Sequence, residues 1–388
     1  MINLKYKYRM YPTPAQEQKL LGILGSCRFI WNHFLAGEQA RYQIDQKFNF
    51  FNSNSAQLTK LKQELDWLRQ SPATALQQTL RNLDAALKQS FKRNTNRRGF
   101  PNWKTKRNWS GGFPLAMIGK NAGQESGKFK IPNVGLVKTK YHRPIPSEFS
   151  TANVKYEAGQ WYLVLTVKVK KHKKSSGSNS VGIDLNSLSY VTSDAEVIDI
   201  PRFLGESQAQ IARLQRSLSR KTNGSVNRAR AQLQLARAHI RIKRRRLDYF
   251  HKLAMMFVKT YDVICLEDLN VKGIQQFNGH IVKDNAMAGF RNMLEYKAEL
   301  LGKEVVIVDR WYPSTKTCSC CGHVQDMKLS DRTYKCHNCG VELDRDFNSA
   351  LNIHRAGTAR IYACGDQSST SAPVVDATQI VEAGSYVL

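Results

Sequence analysis

Acid is what this chain lacks most. Its 388 residues carry 31 Asp and Glu against 59 Lys and Arg, for a formal net charge of +28. That imbalance points to a polyanion as partner, with a nucleic acid and a membrane surface in competition. Long apolar runs are also missing. No segment approaches the length of a bilayer span, and the N-terminus, MINLKYKYRMYPTP, lacks the uninterrupted apolar core of a signal peptide. The expectation is therefore a soluble, cytoplasmic protein with no membrane partner. Evenly spread cysteines are absent as well. Of eight, five crowd into one stretch at 318, 320, 321, 336 and 339, and the others stand at 27, 265 and 364. A secreted disulfide scaffold would distribute them, so the cluster reads as a metal site. What remains, 41% hydrophobic residues over this length, is enough to fill the cores of two or three domains.

The first element reads as a short strand, INLKYKYRM, followed by a marked helix start. Thr13 serves as N-cap, Pro14 fits the first helical position and Gln16 completes a capping box. Apolar residues then recur at helical spacing from Leu20 to Phe34, along Leu58, Leu61, Leu65 and Leu68, and again from Leu76 to Phe91, so residues 12–95 form a helical unit. At FKRNTNRRGFPNWKTKRNW (91–109) basic residues interleave with Phe100, Trp103 and Trp109. Two readings stand side by side. Arg97, Arg98, Trp103 and Lys104 could grip a nucleic-acid strand by stacking and phosphate contact, or the stretch is a solvated basic loop with buried aromatics. Next come KFKIPNVGLVKT and VKYEAGQWYLVLTVKV, the second a hairpin turning at Gly159, with KKHKKSSGSNS (170–180) as a polar linker.

Residues 181–200 read as three short strands in a meander. A basic helical region spans about 204–259, with an apolar stripe of Leu233, Ala236, Ile240, Leu247, Phe250 and Ala254. Arg228, Arg230, Arg237, Arg241, Arg244 and Arg245 cover much of the rest, either as a solvated face or, as the global charge favours, to meet a nucleic-acid backbone. YDVICLEDLN and KEVVIVDR are strands flanking a helix at 285–300, and from about 356 the composition reads as a disordered tail.

Two constellations carry chemistry. Cys318, Cys321, Cys336 and Cys339 give C-x2-C-x14-C-x2-C, with Gly322 and Gly340 closing each knuckle. Four thiolates suit a tetrahedral Zn²⁺ and leave it no open position, so that zinc is structural. Cys320 competes with Cys321, but the spacing and the following glycine favour Cys321; His323 and His337 are then unnecessary.

The second constellation is acidic. Asp184 lies inside the apolar strand GIDL and Glu267 inside VICLEDLN, where an unpaired charge is costly. Asp344 and Asp346 stand together at a helix start. Singly, each has a plain alternative: a turn former, an Arg partner, a helix cap. Together they converge at one sheet edge if the two strands are neighbours and the last helix packs on them. Such a group suits Mg²⁺ or Mn²⁺ and two-metal phosphodiester hydrolysis. Which of Asp344 and Asp346 is the ligand and which the cap stays open at this point; Asp309 is taken as structural or supporting.

VGIDLN, ICLEDLN, RWYPSTKTCSCCG with CHNCG, and LDRDFNSALNI, together with the N-terminal YRMYPTPAQEQKLL and CRFIWN, resemble in order the motifs of the transposon-encoded TnpB family. That family is related to type V CRISPR effector nucleases. The resemblance implies a multidomain α+β protein. Its RNase H-like (RuvC) nuclease domain at 181–310 and 341–356 would be interrupted by a zinc ribbon at 311–340. A β-barrel-like wedge domain at 1–11 and 106–172 would contain a helical recognition insertion at 12–105; a linker at 173–180 and a disordered tail at 357–388 complete the layout. It implies an RNA-guided DNA endonuclease with catalytic acids Asp184, Glu267 and Asp346, a bound guide RNA and a double-stranded DNA target. A nuclease-silent RNA-guided repressor and a strand-transferring transposase are the alternatives. All three acids are present, which argues against the first; joined rather than free DNA ends would reveal the second.

Overall fold

The computed structural model describes residues 1–91, 99–105, 111–115, 124–125, 127–145, 149–186, 188–269, 287–328 and 330–364. Residues 3–168 build one compact unit, and the described residues from Val169 onward build a second.

In the first unit, β1 (Ile2–Tyr11) alternates, burying Ile2, Leu4, Tyr8 and Met10 on one face. The capping box is formed: Thr13 Oγ1 accepts from the Gln16 amide (3.3 Å) and Gln16 Oε1 from the Thr13 amide (3.1 Å). It starts α1 (Pro14–Asp45), whose buried stripe includes Leu20, Ile23, Cys27, Ile30 and Phe34. Helices α2 (Phe51–Glu64), α3 (Asp66–Arg69) and α4 (Ala73–Ser90) follow. Leu58 and Leu68 are buried, but the expected Leu61–Leu65 part of that stripe is only half-buried, because the helix ends at Glu64 and restarts at Asp66.

Six more strands complete a seven-stranded sheet: β2 (Gly112–Leu115), β3 (Gln124–Glu125), β4 (Lys128–Ile131), β5 (Gly135–Lys140), β6 (Phe149–Glu157) and β7 (Gln160–Val169). Their order is β2-β6-β7-β1-β5-β4-β3, so the N-terminal strand lies at the centre of the later hairpins. Ala158 (φ 46°) and Gly159 (φ 74°) turn the β6–β7 hairpin, in the left-handed backbone region that two-residue hairpin loops favour.

The second unit opens with the meander β8 (Ser180–Leu185), β9 (Ser189–Thr192) and β10 (Val197–Asp199). The basic region is two helices rather than one. Helix α5 (Phe203–Ser219) ends before Gly224, whose φ of +81° breaks the run, and Ser225 caps α6 (Val226–Thr260). The stripe also differs in phase. In the first half of α6 the buried residues are Ala231 and Ile242, and Leu235 and Ala238 pack against the cluster that Ile242 forms with Phe203 and Ile211. Alanines and leucines occupy two adjoining faces there, so spacing alone did not separate them. After β11 (Val263–Glu267), α7 (Met287–Leu301) and β12 (Glu304–Val308) comes the small hairpin β13 (Thr333–Lys335) and β14 (Glu342–Asp344), which carries the cysteine segment past residue 340.

The last helix, α8 (Arg345–Cys364), runs beyond residue 356, so residues 357–364 are helical where a disordered tail was expected. The small residues there permit close packing: a Cβ on Gly357 would collide with Cys265 Sγ. Residues 365–388 lie outside the described residues.

The second sheet has the order β10-β9-β8-β11-β12. Strands β8, β9 and β10 are antiparallel neighbours, whereas β8, β11 and β12 are parallel, with Ile183 opposite Leu266 and Glu267 opposite Val308. Parallel neighbours place their C-terminal ends at one sheet edge. Among the described residues, no helix is long and apolar enough to cross a membrane.

Candidate metal centres and nucleic-acid interface

Strand alternation decides where the acids point. A Cβ on Gly182 would strike the Ala350 carbonyl and the His354 amide of α8, so Gly182 faces that helix, and two residues on Asp184 faces the same way. Cys265 touches Gly357 of α8, so Glu267 shares that face too. From Ala350, one turn back along α8 covers about 6 Å and reaches Asp346; two residues along β8 cover about 6.6 Å and reach Asp184. The three acids therefore meet at the strand ends. Asp268 points to the opposite face, where Arg291 (2.7 Å) and Arg310 (2.6 Å) hold its carboxylate below the usual range.

The electrostatics agree. Asp184 is 6% exposed, and burial first, then the charges of Glu267 and Asp346, push its carboxyl up to about 8. The Asn186 amide, donating to Oδ2 at 3.1 Å, and Arg345 offset part of that rise. Burial raises Glu267 as well, opposed by the hydroxyl of buried Ser314, which donates to Oε1. Asp346 is held by its neighbour: Arg345 Nε and Nη2 both reach Oδ1 at 3.0 Å. Asp344 is the cap, its Oδ1 accepting from the amides of Asp346 (2.9 Å) and Phe347 (3.0 Å). The Asp309 carboxylate accepts from the Trp311 amide at 2.8 Å.

Among the described residues, the cysteines form the one group of three or more metal-ligating side chains whose ligand atoms all lie within 4.8 Å of each other. Cys318 and Cys339 sulfurs are 3.7 Å apart, and Cys321 and Cys336 3.6 Å. A tetrahedron with Zn–S bonds of about 2.3 Å has sulfurs about 3.8 Å apart, so the four fit zinc. Gly322 (φ +77°) and Gly340 (φ +73°) turn the knuckles, donating to the carbonyls of Cys318 and Cys336. Cys320 stands outside this group.

Spacing missed the residues that join the two centres. Asn348 and Asn352, one turn apart on α8 and almost wholly buried, donate to the Thr317 carbonyl at 2.8 and 2.6 Å. Asn352 also reaches the Ser314 carbonyl, at 2.9 Å. They fasten the entry of the cysteine segment to the helix that carries Asp346. The available signal was polar residues at i and i+4 on an otherwise apolar helix face.

The basic candidates divide. Arg97 and Arg98 lie outside the described residues. Trp103 is 46% exposed, whereas Phe100 packs edge-to-face against Tyr42, Phe48 and Phe91, and Lys104 sits 4.2 Å over the Trp31 ring. Arg228 is occupied by the carbonyls of Leu218 (3.1 Å) and Lys221 (2.8 Å), tying the α5–α6 turn. Arg245 pairs with Glu206 at 3.0 Å. Arg230, Arg237, Arg241 and Arg244 are exposed along α6.

Known families match along the chain. A helix-turn-helix domain family matches residues 1–47, where the structure has β1 and the single helix α1; a family described as probable transposase matches 162–278, and the Cas12f1-like TNB domain 288–353. A "Putative RNA-guided DNA endonuclease" of Streptomyces pristinaespiralis is 34% identical over 374 residues, 93% of this chain and 90% of its own. TnpB-like protein L770 of Acanthamoeba polyphaga mimivirus is 27% identical over 261 residues, 61% of this chain and 50% of its own. The chain belongs to the TnpB family. Its fold resembles that of the protein in a cryo-EM structure of a Cas12f1–sgRNA–target DNA complex, at a TM-score of 0.54 and 16% identity over 88% of this chain and 82% of that one.

Proposed function

We propose that this TnpB-family chain is an RNA-guided DNA endonuclease and that its second unit is an RNase H-like (RuvC) nuclease domain. The observation that carries this reading is the convergence of Asp184, Glu267 and Asp346 from two parallel strand ends and a helix start. The strand order around β8, three antiparallel strands joined to two parallel ones, supports the fold assignment. The helices between β1 and β2 agree with a recognition insertion at 12–105 in a β-barrel-like wedge domain at 1–11 and 106–172. A guide RNA and a double-stranded DNA target, both polyanions, fit a net charge of +28.

Asp184, Glu267 and Asp346 would hold Mg²⁺ or Mn²⁺. The donor set fits: hard oxygens, one of them on a nearly fully buried carboxyl pushed up by two like charges and so in need of a cation. Such ions, when bound, activate water and stabilise the leaving oxygen of a phosphodiester. The chain's own residues prepare the site. Ser314 orients Glu267, Asn186 fixes one oxygen of Asp184, Arg345 restrains Asp346, and Asp344 sets the helix start from which Asp346 projects. The zinc ribbon is structural.

The test is cleavage of a guide-matched DNA duplex by the RNA-loaded protein, with the products examined for free rather than joined ends. Asp184→Ala should abolish cutting and keep RNA and target bound; cutting that survives it would sink the mechanism.

A further inference from the structure

The turn that leaves β12 presents an unusual side chain. Trp311 is 85% exposed, the most exposed large apolar residue among those described, yet its backbone is held. Its amide donates to Asp309 Oδ1 at 2.8 Å, the Tyr312 amide to the Asp309 carbonyl at 3.1 Å, and the Ser314 amide to the Tyr312 carbonyl at 2.8 Å. A rigid turn thus keeps an indole face in water, at a hydrophobic cost that folding of the second unit does not explain.

Beside it opens a cavity of about 430 Å³, lined by Trp311 with Arg291, Arg310, Arg360, Asp268 and Asp309 among others. Three guanidinium groups and two carboxylates line it, and a third carboxylate, Glu295, pairs with Arg291 at 2.9 Å. Asp309 is spent on the turn, and Asp268 holds Arg291 and Arg310 in place rather than leaving them to solvent. Arg360 is anchored by one bond, to the Ile307 carbonyl at 2.9 Å, and a guanidinium has five donors in all. The cavity is linked to the acid site along the chain only, because Asp268 points to the sheet face opposite Glu267. Asp268 follows Glu267, and Ser314, three residues after Trp311, touches the Glu267 carboxylate.

We propose that this cavity is a nucleotide subsite: Trp311 stacks on a base of a single-stranded nucleic acid while Arg310 and Arg360 hold the adjoining phosphate. An aromatic face set among arginines is the arrangement that grips single strands with little regard to sequence. Naming that strand as the one being cut rests on the nuclease reading given above.

The experiment uses the full-length, RNA-loaded Asp184→Ala protein, which should not cut. It compares binding of labelled oligothymidylate with that of an abasic strand of equal length, which has the phosphates but no bases. Adding Trp311→Ala should weaken oligothymidylate roughly tenfold and leave the abasic strand within twofold, and Trp311→Phe should restore binding to within about threefold. Arg360→Gln should weaken both strands alike and lower the slope of log affinity against log salt by about 0.7. Unchanged oligothymidylate binding in Trp311→Ala, or equal loss on both strands, would overturn the subsite. Cutting that survives Asp184→Ala would instead overturn the nuclease reading and leave base-dependent binding to stand or fall by itself.

Discussion

The cysteine ribbon and the carboxylate site lie within one unit and are fastened to each other, yet they are assembled in opposite ways. The ribbon takes all its ligands from residues 318–339, and its sulfurs already stand at tetrahedral spacing. The acid site draws on residues 184, 267 and 346, and like charges crowd until burial pushes Asp184 up to about 8. A site complete in its own ligands is a structural part. One that is strained by its own charges suits the cation-holding role proposed for it.

That comparison breaks most sharply if its acidic half is altered. Asp184→Ala or Asp346→Ala should lower the cleavage rate by on the order of 10³-fold or more while nucleic-acid binding persists, since each removes charge stabilisation at the reacting centre. A gel assay of cleavage beside a filter-binding assay separates the two. Next in size is the ribbon. Cys336→Ser should remove the bound zinc, read by elemental analysis, and reduce cleavage by roughly a hundredfold, because the ribbon entry is pinned to α8 through Asn348 and Asn352. Zinc retained at one equivalent per chain would show that the four sulfurs are not the site.

The same contrast explains what could be read from spacing. The ribbon was legible because its ligands are near neighbours in sequence and its glycines mark both knuckles. The acids stood out as candidates, Asp184 and Glu267 as charges inside apolar strands and Asp346 as one of a pair at a helix start. Ser314, Arg345, Asn348 and Asn352 did not, because their partners are set by how α8 packs on β8 and β11, through Gly182 and Gly357. Local pattern also misled where small residues predominate. Alanines on adjoining faces shifted the α6 stripe, and GTARIYAC (357–364) passed for a tail although its first glycine packs against Cys265. The basic candidates could not be sorted by spacing, for a related reason. Spacing places Arg228 and Arg241 on one helix, but only the structure shows that the first is engaged with two carbonyls.

A smaller effect tests how the two halves communicate. Ser314 belongs to the ribbon's approach but bonds to Glu267. Ser314→Ala should slow cleavage about tenfold and raise the Mg²⁺ concentration needed for half-maximal rate, as loss of a hydrogen bond that orients a metal ligand does. A slower rate with an unchanged Mg²⁺ requirement would mean that the serine merely packs.

The smallest expected effect separates the two aspartates of LDRDFNSA. Asp344 and Asp346 have the same chemistry two residues apart, but one carboxylate accepts backbone amides and the other adjoins Asp184. Asp344→Ala should cost about 1 kcal/mol of stability, the usual worth of an N-cap, and lower the melting temperature by a few degrees. Asp344→Asn, which keeps an oxygen in the same position, should recover most of that loss. Cleavage should fall far less in Asp344→Ala than in Asp346→Ala, because the helix start survives without its cap while the proposed metal ligand has no substitute. Equal catalytic loss from the two would show that the cap's geometry, and not the Asp346 charge alone, sets the acid site.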